Sequence, residues 1–514
     1  MIAILNNIKS ALFISALFLV SLQSFSQDNV LELLPGAKTL EYDEITGIHR
    51  LLGNVNFIYQ GNVMYCDSAY YFEREKSVRA YSRVHINKND TLNLFCDSLY
   101  YNGANGKAKL WGNVSARDNE FKLTTDTLDY DTKSGQAHYH HGGRVESIVS
   151  QEILTSKVGY FHPDSKNFFF SKNVEYNGKD LYMKTDTLQY VYSKKRVYFF
   201  GPTDILSKDS KMYCESGWYN TSTEEGSLQN NAWISKEKEY IAGDTLLYNP
   251  IEGYSIGKGN VYYKDSTQKL EFNADYAYSS DSLDFSFLTG HAVATKYLKD
   301  DTMYVHADTL FMEKVDSIEI MKAYSNAKIY STKVQCIADS IAFNSSDEKI
   351  SLYTKPIVWA NKAELKGEFI EIIISDSLIH KVSIQDKSSI VMEVEPGEYY
   401  NQIAGVNILA YFEDNDLNQA LVNGNAITLF FPEDETKTDS TFTKKRMGMN
   451  RVYASDLKID IDSNEISGIT YIEQPDGVFY PMDQINKDEQ FIRGFDWMEH
   501  LRPQSKEAIL EEEE

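Results

Sequence analysis

The 514 residues carry 75 acidic and 51 basic side chains, a net charge of −24, which argues against nucleic acid or an anionic bilayer surface as an electrostatic partner. A lipid partner would have to be met through apolar contacts. The 36 Tyr and 26 Phe beside frequent Val, Ile and Thr favour strands, and 10 Pro and 28 Gly are too few for a disordered or collagen-like chain.

Residues 1–26 place Lys9 before an apolar run from Ala11 to Leu22, then the small residues Ser24 and Ser26. This is the layout of a cleavable secretory signal peptide, since the run is short for a membrane span. No Cys directly follows it, so no lipoprotein anchor is indicated. Export makes disulfides possible, yet Cys66, Cys96 and Cys214 share one repeat position that other copies fill with Thr125, Thr185, Gly243 or Ala307. A slot for a small buried residue is expected there, and no Cys66–Cys96 bridge.

From residue 27 to 375 one unit recurs. Its register position falls at Lys38, Asp67, Asp97, Asp126, Lys157, Asp186, Glu215, Asp244, Asp275, Asp308, Asp339 and Glu368, at intervals of 29 to 33 residues. Two residues on stands a Leu-type side chain (Leu99, Leu128, Leu188, Leu246), and four on a Tyr-type one (Tyr101, Tyr130, Tyr190, Tyr248). Strand alternation puts all three on one face, a core-facing ladder. The other half of the unit repeats as Gly53-Asn54-Val55, Gly112-Asn113-Val114, Asn173-Val174 and Gly259-Asn260-Val261. The pattern predicts an all-β, repetitive array of about twelve hairpin units of about 30 residues, stacked because no unit can bury its apolar face alone.

Residues 376–480 read as an irregular continuation of the array, with a charged loop near 433–445, and 481–514 as a terminal cap with an acidic tail. Phosphate loops, nucleophile elbows and H-E-x-x-H pairs are absent, so no enzyme and no cofactor is expected. His138 and His140 would share a strand face beside His141, a possible metal site, but no carboxylate or Cys accompanies them in the segment. A solvated strand end is the simpler reading, and no metal is expected.

The export signal, the G-N-V strands and the C/T-D-S/T-L-x-Y strands of Cys66–Tyr71, Cys96–Tyr101 and Thr125–Tyr130 together resemble the OstA-like (organic solvent tolerance) family. That family includes the periplasmic lipopolysaccharide-transport bridge protein LptA, and the similarity is greatest to its long members of the Bacteroidetes type. It covers residues 36–375 well and the remainder weakly. The resemblance implies a V-shaped, solenoid-like β-jellyroll in the periplasm whose apolar trough takes lipid acyl chains. The implied partners are lipopolysaccharide, inner-membrane and outer-membrane transport components, and further copies stacked end to end. The trough would be lined by Leu99, Tyr101, Val114, Leu128, Tyr130, Val174, Leu188, Tyr190, Leu246 and Tyr248. The same ladder also fits a closed core, as in a structural or adhesive solenoid of the cell envelope; a polysaccharide-active solenoid would need converging carboxylates.

Overall fold

The computed structural model describes residues 32–511 except 60, 89–90, 163–164, 317, 376–377, 414–415, 439–440 and 463–464. The expected signal peptide and the last acidic residues lie outside the described residues. Compactness divides the chain after Ile205 into two units, and the repeat shapes both in the same way.

In the first unit the strands Ile48–Tyr59, Asn62–Phe72, Ser77–Lys88, Leu92–Asn102, Lys107–Arg117 and Phe121–Asp131 pair antiparallel, each with the next. Each is bent near its middle. Leu52 pairs with Ser68 and Val55 with Cys66, so Gly53 and Asn54 together oppose the single residue Asp67. Both are left-handed, with φ of +75° and +53°. Gly112-Asn113 stands opposite Asp126 in the same way, and Ser82-Arg83 opposite Asp97. Two residues against one is a β-bulge, which bends its strand. The second unit repeats the device with Asn230-Asn231 opposite Asp244, Gly259-Asn260 opposite Asp275 and Ser325-Asn326 opposite Asp339. Gly and Asn recur here because they tolerate the left-handed region at least cost.

The bend folds each strand into two halves whose apolar faces turn toward one another. On Leu92–Asn102 the buried side chains are Leu94 and Cys96 before the corner and Leu99 and Tyr101 after it. Alternation therefore skips a residue at the corner, and the acids of the repeat lie outside. This corrects the expectation that the register residue shares the ladder face.

Several of these acids take a hydrogen bond from the next bulge along. Asp67 accepts from Arg83 and Ser82 at 2.6 Å each. Asp97 accepts from Asn113 at 2.8 Å, Glu215 from Asn231 at 2.8 Å and Asp244 from Asn260 at 3.1 Å. Asp275 meets His291 at 2.8 Å, and Glu368 accepts from Lys387 at 2.7 Å. The bonds from Arg83 and Ser82 hold the Asp67 carboxyl down at about 2. All four Cys are buried and unbonded, with Cys66, Cys96 and Cys214 just inside the corner, where burial pushes each thiol up to about 12.

In the second unit the hairpin pattern continues past residue 375 through Leu378–Glu395, Tyr399–Glu413, Asp416–Phe430 and Gly448–Asp462. The stretch expected as a charged loop near 433–445 is instead a separate two-stranded hairpin, Glu433–Thr438 with Thr441–Arg446. The sequence there carries the single apolar residue Phe442 among Thr and charged residues, so no apolar alternation marks these strands.

The segment after Pro481 contains only short 3-10 turns, and it runs back along the outer face of this unit's strands. Gln402 donates to the Gln490 carbonyl, Trp497 packs on Tyr400, and Arg502 donates to Gln335 at 2.7 Å. Lys328 reaches the Glu511 carbonyl. Beneath it Gln335, Trp359 and Glu364 stand in register on the face opposite the apolar core of Cys336, Val358 and Leu365, yet they are as buried as that core. Glu364 is fully buried and accepts from Trp359 Nε1 at 3.1 Å and from the Met498 amide at 2.9 Å, with Lys366 Nζ 2.7 Å away.

Two measurements test these devices. Gly112→Ala would put a Cβ 2.8 Å from the Asp97 Cβ at φ +79°, and we expect it to lower stability by about 1–3 kcal/mol in chemical denaturation. Glu364→Ala leaves the Trp359 and Met498 donors unpaired and should cost about 2–4 kcal/mol. Its hydrogen exchange should rise chiefly over residues 490–511; unchanged exchange there would show that Glu364 does not hold the segment.

Candidate functional site

The corners turn the apolar side chains of each unit into one interior face. In the first unit Leu99, Tyr101, Val114, Leu128, Val174, Leu188 and Tyr190 are all no more than 9 % exposed. Tyr130 is half-buried. These eight expected residues, brought from five strands, do lie along one interior.

At the mouth between the two halves that interior is shut. The rings of Tyr59 and Tyr101 lie 5.4 Å apart, and Lys88 Nζ donates to the Tyr130 hydroxyl at 3.2 Å. Lys166 pairs with Glu120 at 2.6 Å, Tyr190 donates to Glu152 at 3.1 Å, and Phe121 packs edge-on against Tyr192. Each contact joins residues near the free ends of opposite half-strands. Burial together with the neighbouring Tyr59 raises the Tyr101 hydroxyl well above its ordinary value. Just inside this mouth a narrow apolar cleft remains, lined among others by Leu92, Ala116, Leu123, Ala137, Phe161 and Phe168.

The start of the second unit differs. Leu246 is buried but Tyr248 is 41 % exposed, and the register gives the reason. Tyr248 is flanked by Gly226 on one neighbouring strand and Ser255 on the other. The next interior position at that level is Ser279, opposite Ser255, and then Ser286. At the level of Tyr101, Tyr130 and Tyr190 the second unit carries Tyr219, Tyr248 and then Ser279, and the residues paired with Tyr248 are Gly226 and Ser255 where Tyr190 is paired with Phe168, so small neighbours leave Tyr248 partly uncovered. Facing it from the other halves of the same strands, Met212, Ile234, Ile241 and Tyr263 are in register and only half-buried. Sequence reasoning did not single out these four. Burial raises the hydroxyls of Tyr219 and Tyr263 to about 12, which keeps this lining neutral.

The fold also leaves an edge. Glu32–Leu34 and Thr39–Asp43 pair only with Ile48–Tyr59 among the described residues, and Leu33, Leu40 and Tyr42 on them are exposed. A one-sided strand presents free backbone groups to a further chain.

With this geometry in view, the match to a known family falls within the first unit. Residues 36–186 match the family described as OstA-like protein. This segment is OstA-like. No curated protein matches the chain. Among solved structures, it is similar to LptH of Pseudomonas aeruginosa, described as the LptA-homologous periplasmic component of the conserved lipopolysaccharide transport device, at 11 % identity and a TM-score of 0.22. The match covers 29 % of this chain and 95 % of that one.

The opening at Tyr248 can be closed by design. If acyl chains enter there, the new ring in Ser255→Phe should cover Tyr248 and weaken binding of a fluorescent fatty-acyl probe about tenfold, with the far-ultraviolet circular dichroism unchanged. Equal affinity in the folded variant would show that acyl chains do not enter there.

Proposed function

We propose that this protein binds lipid acyl chains within its bent β-array and serves as a periplasmic bridge in lipopolysaccharide transport between inner and outer membranes. The observation that carries the reading is the apolar interior that becomes accessible at Tyr248, where Met212, Ile234, Ile241 and Leu246 offer contacts without an unpaired charge. An acyl chain is matched by such a lining through burial of apolar area, at about 25 cal/mol per Å². The OstA-like segment at 36–186 supports the assignment to lipopolysaccharide. No nucleotide-binding loop stands in the sequence, so directed movement would draw its energy from partners. The exposed edge at Glu32–Asp43 suits strand addition by a membrane transport component or a second copy. The protein is read as a non-enzymatic carrier.

The shut mouth of the first unit favours a second reading, a structural cell-envelope solenoid with a closed core. The two are separated by photo-crosslinking in cells. A photoreactive residue at Tyr248 or Ile241 should give lipopolysaccharide adducts, while one at the opposite-face neighbours Leu247 or Tyr240 should give none. A pair at Tyr130 and Asp129 asks the same of the first unit: adducts at Tyr130 would mean that the Lys88–Tyr130 contact opens in the cell. Adducts at none of the inward positions, with the protein exported and folded, would establish the structural reading.

A further inference from the structure

On the outer face of the first unit the chain brings together three ligand-type side chains that are far less suggestive in sequence. His138 lies on the strand Gln136–Tyr139, which pairs with Phe121–Asp131 so that Asp129 stands directly opposite it. His140 follows two residues later, its ring 4.6 Å from that of His138. Between them Tyr139 points inward, 3 % exposed, with its hydroxyl 2.8 Å from Ser156 Oγ. Gly143 and Gly159 crowd that ring so closely that a Cβ on either would fall 2.4 Å from it. Tyr139 therefore fixes the local twist and sends both imidazoles to the same outer side. Tyr160, in register on the far side, stacks on His138 at 17° between planes and sets that ring's orientation.

We propose that Asp129, His138 and His140 bind a divalent late first-row metal ion of the zinc type. One ligand atom from each lies within 4.8 Å of the others, and His138 Nε2 is 3.5 Å from Asp129 Oδ2. Zinc bonds of about 2.0–2.1 Å in a tetrahedron put ligand atoms about 3.3 Å apart, so the Asp129–His138 edge is already near that length. His140 is exposed and closes the remaining gap by side-chain rotation. Two imidazoles and one carboxylate select zinc, nickel or copper over calcium and magnesium, which require mostly oxygen ligands. A fourth position stays open to water. His141 takes no part, since its Nδ1 is turned to Thr127 Oγ1. Lys109 stands opposite Asp129 on its other neighbouring strand. The bound ion would cross-link two neighbouring strands next to the narrow cleft inside the mouth.

Cobalt(II) titration of the mature protein without a histidine tag tests this. One equivalent should bind with the intense visible bands of tetrahedral coordination and be displaced by zinc. His138→Ala and His140→Ala should each weaken binding at least tenfold, and His141→Ala should leave it unchanged. His140→Gln, at an exposed position, keeps the test valid if His138→Ala fails to fold. Absence of a tetrahedral spectrum in the wild type, or binding that survives His140→Gln undiminished, would overturn the proposal.

Discussion

The fold depends on placing two left-handed residues opposite one acid in the middle of strand after strand. A straight amphipathic hairpin of this length would present one flat apolar face and need another layer to cover it. The bulge at Gly53-Asn54, and its copies at Gly112-Asn113 and Gly259-Asn260, let a strand cover itself by turning its two halves toward each other. The acids then follow from geometry. Asp97 sits against the bulge of one neighbour and accepts from Asn113 of the other, so successive corners are tied along a ridge.

How much of this the sequence shows depends on which property repeats. The period near 30 residues and the strand content are written in spacing and residue type, and the buried set from Leu99 to Tyr190 came from simple alternation. The corner was misread because alternation assumes an unbroken strand. Only the combination of Cys96 and Leu99 as inward residues, three apart, shows the skipped step. Small residues at the Cys66 and Cys96 slot were a usable sign, since a tight corner leaves little room inside. The hairpin within 433–446 and the packed segment 482–511 had no such sign, because one lacks an apolar face and the other is placed by single side chains such as Trp497 and Arg502.

The interior is not uniform, and the difference is one of side-chain size at a single repeat level. Tyr101, Tyr130 and Tyr190 bring rings to the mouth of the first unit, where Tyr59, Lys88 and Glu152 meet them. In the second unit Tyr219 and Tyr248 stand at that level, but Ser279 takes the next place and the small residues Gly226 and Ser255 flank Tyr248, which is left in contact with solvent. Backbone geometry is the same in both. How far that level of the interior is covered therefore depends on the size of the residues at it and beside it, which can change without disturbing the corner that makes the fold.

Charge obeys a similar separation. Corner acids recur on every second strand, about 10 Å apart at a strand spacing near 4.8 Å. At that distance in water their repulsion is about 0.4 kcal/mol, and salt screens it further. Such acids need no counterion, which explains why uncharged Asn113, Asn231 and Asn260 serve as partners as readily as Arg83 or Lys387. What the acid needs is a donor at the bulge, and what the bulge needs is a residue that tolerates positive φ; Asn supplies both. A net charge of −24 is thus compatible with an apolar interior: the acids at the corners are turned outward, away from the surface that an acyl chain would touch.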